Sequence, residues 1–172
     1  MDMEGLEEFM IPKDAFEKLN DPELMKQYVE EGKTFQEILG FSAETMDKFY
    51  HVAHAMFSHH RLKEASDAFL FLTTLNPFIP EYWLGLGMCE QLNEEYKQAI
   101  VAYSMVIIGD RYHATAHYHM AACHNALDDI DAALRALERS VSAAGDDPEL
   151  AELKANAVRA HNRLTVKKNT KS

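Results

Sequence analysis

A sequence period of 34 residues constrains this fold more than any other feature of the chain. Three sets of positions keep the period: small residues at Ala65, Ala99 and Ala133, small residues again at Ala68, Ala102 and Ala136, and bulky residues at Phe69, Tyr103 and Leu137. Periods of about 20 to 50 residues are typical of repeat proteins, in which each unit buries its apolar face by stacking on its neighbours. We therefore predict an array of stacked repeats.

The residues between these positions fit a helix–turn–helix unit, the tetratricopeptide repeat. Its best copy places Leu86-Gly87 on a first helix and Ala99 and Tyr103 on a second helix. The small residues let the two helices approach closely, and the bulky ones fill the space that remains between them. The predicted fold is an all-α solenoid of three repeats, at about 46–79, 80–113 and 114–147.

Segments without the period flank the repeats. Residues 1–41 are predicted to form an N-terminal helical extension, in which Asp21-Pro22 opens a short amphipathic helix. Ser42 is predicted to cap the first helix of the repeats. Asp147-Pro148 opens a capping helix that completes the repeat unit, residues 42–165. The basic tail at 166–172 is predicted to be disordered. An apolar helix outside the solenoid must pack on it or on another copy of the chain, so self-association is a hypothesis.

Charge and hydropathy exclude several kinds of partner. The net charge of −11 would repel the phosphates of a nucleic acid. No apolar run reaches the roughly 18 residues that cross a bilayer, so direct insertion into a membrane is not expected. The start, Met1-Asp2-Met3-Glu4-Gly5, lacks the basic segment of a signal peptide. We expect the protein to stay in the cytoplasm of the cell that makes it.

The two cysteines, Cys89 and Cys123, lie one repeat apart. Equivalent positions of stacked helices are about 10 Å apart, which is too far for a disulfide. We predict small buried thiols in a reducing compartment.

Catalytic and metal-binding motifs are not predicted. His113, His117 and His124 share one broad helix face, but no cysteine or carboxylate completes a metal site, and packing explains them well. Gly85-x-Gly87 lies inside a helix and lacks the strand context of a dinucleotide site. We expect neither a cofactor nor an enzymatic activity.

The inner surface of the solenoid is the candidate site. First helices of this repeat line the concave face, and we predict a peptide-binding groove there. Its candidate residues are Tyr50, His54, Phe57, Leu84, Met88, Gln91, Tyr118, Ala122 and Asn125. Such a surface suits an extended peptide with spaced apolar anchors; the alternative is that some members, Leu84 above all, belong to the core. No Lys or Arg stands at the positions that clamp carboxylates in other solenoids, so that type of groove is not expected.

One segment resembles a known family. The stretch Trp83-Leu84-Gly85-Leu86-Gly87-Met88-Cys89 is similar to the second repeat of the class II chaperones of bacterial type III secretion, the LcrH/SycD-like translocator chaperones. Residues 35–50 resemble that family's entry into its first repeat, and the resemblance extends from about Tyr28 to His161. His54, Leu62 and the turn His59-His60 depart from the family's residues.

The resemblance implies a function without ATP hydrolysis. The family holds hydrophobic pore-forming translocator proteins in solution, keeps them apart before secretion, and binds a Pro-x-Leu-x-x-Pro-like segment in the groove. Tyr50 and Phe57 match its groove aromatics. It also implies a homodimer through the N-terminal region, with Leu24, Met25 and Tyr28 as candidates. The alternative function is that of a general tetratricopeptide adaptor that scaffolds a regulatory or assembly complex.

Overall fold

The sequence period corresponds to three consecutive helix pairs in the structure. The computed structural model describes residues 13–171. Its helices are α1 (Lys13–Leu19), α2 (Pro22–Glu30), α3 (Phe35–Leu39), α4 (Ala43–Ser58), α5 (Leu62–Leu75), α6 (Pro80–Leu92), α7 (Tyr96–Gly109), α8 (Ala114–Ala126), α9 (Ile130–Ala144) and α10 (Ala151–Lys171), with a 3-10 turn at Pro148–Leu150. This part of the chain contains no strand, and the all-α prediction is confirmed. None of these helices is both long and apolar enough to cross a membrane.

The predicted helix starts are formed by side-chain caps. The Asp21 carboxylate accepts hydrogen bonds from the backbone N–H groups of Glu23 and Leu24, both at 3.1 Å. The hydroxyl of Ser42 accepts from the N–H of Thr45 at 3.0 Å. Each cap satisfies donors that have no partner within the helix, which fixes where α2 and α4 begin.

The turns inside the three repeats share a feature that the sequence does not show plainly. Their left-handed residues are His60, Glu94 and Asp128, with φ of 56°, 63° and 58°. These residues stand 34 positions apart. Because the same backbone turn recurs, each second helix leaves its first helix in the same direction, and the repeats stack in register.

Small residues of the first helices bring the helices into close contact. A Cβ atom built on Gly87 would lie 2.6 Å from the Tyr103 ring, and one on Gly85 would overlap the Phe69 ring. Phe69 and Tyr103 are 1% and 0% exposed, so both rings fill the core. The predicted role of small residues on the first helices is confirmed at Gly87.

The helices form two layers. α4 contacts α6, α6 contacts α8, and α8 contacts α10, whereas α5, α7 and α9 pack between successive members of that row. The capping helix α10 therefore continues the inner row as a fourth member. The candidate groove lies along this inner row.

The N-terminal extension packs against the start of the solenoid only in part. Ala15 is buried in the first core cluster, and the Asn76 amide donates to Gln36 at 2.8 Å, which ties α3 to the end of α5. Helix α2 buries none of its residues. Its side chains Leu24, Met25 and Tyr28 are half-buried.

The predicted disorder of residues 166–172 is wrong for the part that the structure describes, because α10 runs to Lys171. The last turns carry basic side chains toward the acidic turn between α8 and α9. Lys167 Nζ lies 3.2 Å from Asp128, and Lys168 Nζ lies 2.6 Å from Asp131. These ion pairs explain why the tail continues the helix. Ser172 lies outside the described residues, as does the predicted leaderless start at residues 1–5.

The cysteines agree with the prediction of buried thiols. Cys89 and Cys123 are free and fully buried. Burial raises the pKa of Cys89 to about 12 and that of Cys123 to about 11. Both side chains are therefore neutral near pH 7 and act as small apolar packing groups, not as nucleophiles.

Candidate functional site

The predicted groove residues all lie on the three inner helices of the repeats. Tyr50, His54 and Phe57 stand on α4, Leu84, Met88 and Gln91 on α6, and Tyr118, Ala122 and Asn125 on α8. None of the nine is fully buried, and three are exposed: His54, Ala122 and Asn125. The exposed residues thus lie on α4 and α8, and the three predicted residues of α6 are half-buried between them.

An aromatic cluster forms the first part of the groove. The Tyr50 ring lies 4.7 Å from His54, 6.0 Å from Phe69 and 5.7 Å from Tyr82, between ring centroids. His54 Nε2 and the Tyr50 hydroxyl are 3.0 Å apart, within hydrogen-bond distance. This bond fixes both rings, so the cluster presents a preformed apolar wall with polar atoms at its edge.

Tyr82 is a member of this cluster that the sequence interpretation did not include. It is the first aromatic residue of α6, and it follows Glu81, which occupies an inward position of the repeat. Its proximity to Tyr50 depends on how α6 packs on α4, which the period alone does not specify.

Acidic side chains border the aromatic cluster. Burial raises the pKa of Tyr50, and the nearby carboxylates Glu81 and Asp47 raise it further. The same causes, with Asp47 ahead of Glu81, raise the pKa of Tyr82. Both hydroxyls therefore remain protonated at neutral pH and can donate hydrogen bonds to a carbonyl of a bound chain.

The middle of the groove combines an aliphatic surface with a fixed amide. Leu84 and Met88 are half-buried and pack against the core cluster that contains Tyr103. The Tyr103 hydroxyl donates to Gln91 Oε1 at 2.8 Å. Gln91 thus uses its oxygen in the core and keeps its amide N–H groups for other partners. Leu84 is thus packed on the core and remains partly accessible.

The third part of the groove is a cavity of about 220 Å³. The three predicted residues of α8 line it together: Tyr118, Ala122 and Asn125. Helix α10 supplies the opposite side, with Ala160, Arg163 and Leu164. The sequence places Leu164 on the apolar stripe of the capping helix, but it does not indicate that this stripe also closes the groove.

Arg163 gives the groove a charge difference between its ends. The positions that would form a carboxylate clamp hold no Lys or Arg. Helix α10 nevertheless brings Arg163 to the cavity at the third part of the groove. Asp47 and Glu81 lie at the other end, near Tyr50 and Tyr82. An extended segment with a basic start and an acidic end would match these charges in one orientation only.

The histidines of α8 have separate structural roles. His113 Nδ1 accepts from the N–H of Ala116 at 3.2 Å and caps the helix. His117 Nε2 lies 3.0 Å from the carbonyl oxygen of Arg111, and His124 lies 3.6 Å from Asp129. Among residues 13–171, no group of three His, Cys, Asp or Glu side chains is arranged to hold a metal ion.

His119 belongs to the core side of α8. Its ring stacks on Tyr103 with the centroids 5.7 Å apart. Burial lowers the pKa of His119, so the ring is neutral at pH 7 and does not contribute a cation to the groove.

Two known proteins and one repeat family are similar to this chain in sequence. Residues 92–157 match the tetratricopeptide repeat. The chain is 26% identical over 129 residues to the low calcium response locus protein H of Yersinia pseudotuberculosis, across 75% of this chain and 77% of that protein. It is 30% identical over 83 residues to the chaperone protein SicA of Salmonella typhimurium, across 48% of this chain and 50% of SicA.

Solved structures share the fold. One chain of a type III secretion system complex from Aeromonas hydrophila superposes on this chain with a TM-score of 0.81 at 26% identity. The match covers 84% of this chain and 97% of the Aeromonas chain. PcrH, solved in complex with the chaperone binding region of PopD, superposes with a TM-score of 0.73 at 28% identity, over 75% of this chain and 97% of that one. The chain is therefore a homologue of the LcrH and SicA translocator chaperones of type III secretion, built on the same tetratricopeptide-repeat fold.

Proposed function

We propose that this chain is a type III secretion chaperone for hydrophobic translocator proteins. It binds an extended N-terminal segment of a pore-forming translocator in the inner groove and prevents aggregation and premature association before secretion. The observation that carries the proposal is the accessible row of aromatic and aliphatic side chains along α4, α6, α8 and α10. Its relative PcrH is solved with the chaperone binding region of PopD.

The groove favours a segment with apolar anchors at intervals. The aromatic cluster at Tyr50, the aliphatic surface at Leu84 and Met88, and the cavity at Tyr118 follow one another along the inner row. Polar atoms between them, such as the amide of Gln91, can pair with backbone groups of an extended chain. A Pro-x-Leu-x-x-Pro-like segment would supply apolar anchors separated by short intervals.

The proposed mechanism needs no chemical step. A translocator exposes apolar surface that aggregates in water. Binding of its anchor segment to the chaperone lowers the concentration of free translocator by mass action, without energy input, and therefore reduces aggregation. The net charge of −11 keeps the complex in solution. We propose a non-enzymatic protein of the bacterial cytoplasm, where translocators await export.

Coexpression tests this function. A translocator from the same genome is produced alone and together with this chain, and its soluble fraction is measured after centrifugation. We expect most of the translocator to be insoluble alone and soluble in a complex with the chain. A translocator whose solubility is unaffected by the chain, while the chain co-purifies with a regulatory assembly, would favour the adaptor function instead.

We also propose that α2 mediates self-association. Val29 is 72% exposed on this helix, which buries none of its own residues, and Leu24, Met25 and Tyr28 add apolar surface beside it. Light scattering after gel filtration should give a dimer for the unmodified chain. The double substitution Met25→Glu with Tyr28→Glu should give a monomer, because two carboxylates would be desolvated at the interface. An unchanged mass for this variant would reject α2 as the interface.

A further inference from the structure

A second cavity lies outside the groove, at the contact between the second and third repeats. Its volume is about 280 Å³. The loop between α7 and α8 and the end of α9 surround it, and its lining residues are Ile107, Arg111, Tyr112, His117, Arg139 and Ser142. The groove residues do not contribute to it. Its chemistry is also different, since two arginines are among its lining residues.

The equivalent positions one repeat earlier are apolar. Subtracting the 34-residue period relates Arg111 to Pro77, His117 to Trp83, Arg139 to Met105, and Ser142 to Ile108. Four positions that are apolar at the contact between the first and second repeats are thus polar or basic at the contact between the second and third repeats. Packing alone would be served by the apolar set, so the change at four neighbouring positions indicates a different role for this contact.

The pair Trp83 and His117 shows how the cavity arises. Trp83 donates from Nε1 to the carbonyl of Pro77 at 2.8 Å, and His117 Nε2 lies 3.0 Å from the equivalent carbonyl of Arg111. The imidazole keeps this hydrogen bond but fills less volume than the indole, which leaves space at the contact. It also adds a second ring nitrogen: His117 Nδ1 is buried and has no hydrogen-bond partner within residues 13–171.

The two arginines have no acidic partner within residues 13–171. Arg111 lies over the Tyr112 ring, 5.1 Å from its centroid, and neither Arg111 nor Arg139 forms an ion pair there. The acids next to them in sequence have other partners: Asp110 accepts from the N–H of Tyr112 at 2.9 Å, and Glu138 lies 3.3 Å from His161 Nε2. In a chain with 28 acidic and 17 basic residues, two unpaired guanidinium groups at one cavity are an unusual local excess of positive charge.

The size and surroundings of the cavity select the ligand. About 280 Å³ is at the lower end of the volume of small-molecule pockets, so it suits one or two acidic groups better than a whole cofactor. Guanidinium groups bind carboxylates in paired hydrogen bonds. Exposed apolar side chains lie on this loop and just before it: Tyr112 on the loop is 65% exposed, and Ile108 in the last turn of α7 is 77% exposed. A carboxylate carried by a polypeptide would cover this surface, whereas a free ion would not.

We propose that this cavity, which we call the arginine pocket, binds an acidic segment of a protein partner, independently of the groove. Arg111 and Arg139 pair with carboxylates of that segment, and Tyr112 packs against its backbone. The chain would then hold an apolar segment in the groove and an acidic segment on its outer side at the same time.

The test uses the full chain and a fluorescein-labelled peptide of ten alternating glutamate and glycine residues, which offers the groove no apolar anchor. Anisotropy measures binding, and the side-chain nitrogen signals of His117 report the position of the ligand. Arg139→Met and His117→Trp install the residues of the preceding repeat, so the fold should persist, as circular dichroism will check. We expect each substitution to weaken binding about tenfold. Arg135→Met, on the same helix but outside the pocket, is the matched control and should bind as the unmodified chain does.

Three results would overturn the proposal: Arg139→Met binds as tightly as the unmodified chain, a peptide with glutamine in place of glutamate binds equally well, or only excess inorganic phosphate shifts the His117 signals. The last result would identify a small-anion site in place of a protein-binding one. Loss of groove binding would leave this proposal standing, because the peptide does not use the groove.

Discussion

Replacing Phe57 with aspartate is expected to weaken binding of a translocator segment by about a hundredfold or more. Phe57 belongs to the proposed groove; it is half-buried and packs against the core cluster that includes Phe69 and Tyr82. A carboxylate there would have to lose its water beneath an apolar anchor without gaining a partner. Aromatic anchors of this kind dominate the free energy of binding at protein interfaces.

The matched control for this substitution is Val52→Asp. Val52 lies on the same helix and is 49% exposed, but it lines the outer surface beside His59 and Arg61. We expect it to leave the dissociation constant, measured by titration calorimetry, unchanged. Ala122→Asp adds a second groove variant at an exposed position, so a loss of binding there cannot come from unfolding. Binding of both groove variants at the level of the unmodified chain would show that the ligand lies elsewhere.

Replacing both Gly85 and Gly87 with alanine is expected to lower the melting temperature strongly. Alanine in a helix is more favourable than glycine by about 1 kcal/mol, which would stabilise an open site. Here the new methyl groups would meet the Phe69 and Tyr103 rings, the latter at 2.6 Å. Neither ring has room to move, and Tyr103 is also held by Gln91. Overpacking of this kind costs about 1–3 kcal/mol for each site.

Gly109→Ala is the control for the glycine pair. A Cβ atom at Gly109 would have its nearest neighbour, Pro80, at 3.9 Å, which is an ordinary contact. We therefore expect Gly109→Ala to keep or slightly raise the melting temperature, measured by circular dichroism. If the double variant were as stable as this control, the close approach of the helices would not be a source of stability in this solenoid.

The sequence predicted the features that repeat. Ala99 and Tyr103 are buried where the period places them, and the caps at Asp21 and Ser42 form as expected. These features depend on local backbone geometry or on contacts that recur in every unit. Each position is therefore supported by its equivalents 34 residues away, and the prediction does not rest on a single residue.

The features that the sequence missed depend on contacts made only once. Tyr82 joins the aromatic cluster through the packing of α6 on α4. Arg163 reaches the cavity at the third part of the groove because α10 packs beside α8. The tail at 166–171 is helical because Lys167 and Lys168 meet acidic residues of a distant turn. From its composition alone, such a basic tail is predicted to be a solvated segment. Its acidic partners lie far away in sequence and are seen only in the tertiary structure.

Photo-crosslinking from inside the groove tests the central proposal most directly. A photoreactive phenylalanine replaces Met88 in the groove or, as a control, Val101, which is 62% exposed on α7. Each variant is coexpressed with the translocator, irradiated and analysed by mass spectrometry. The proposal predicts that the Met88 variant crosslinks to one N-terminal segment of the translocator and that the Val101 variant does not. Crosslinks from Val101 alone, or from Met88 to a protein that is not secreted, would contradict it.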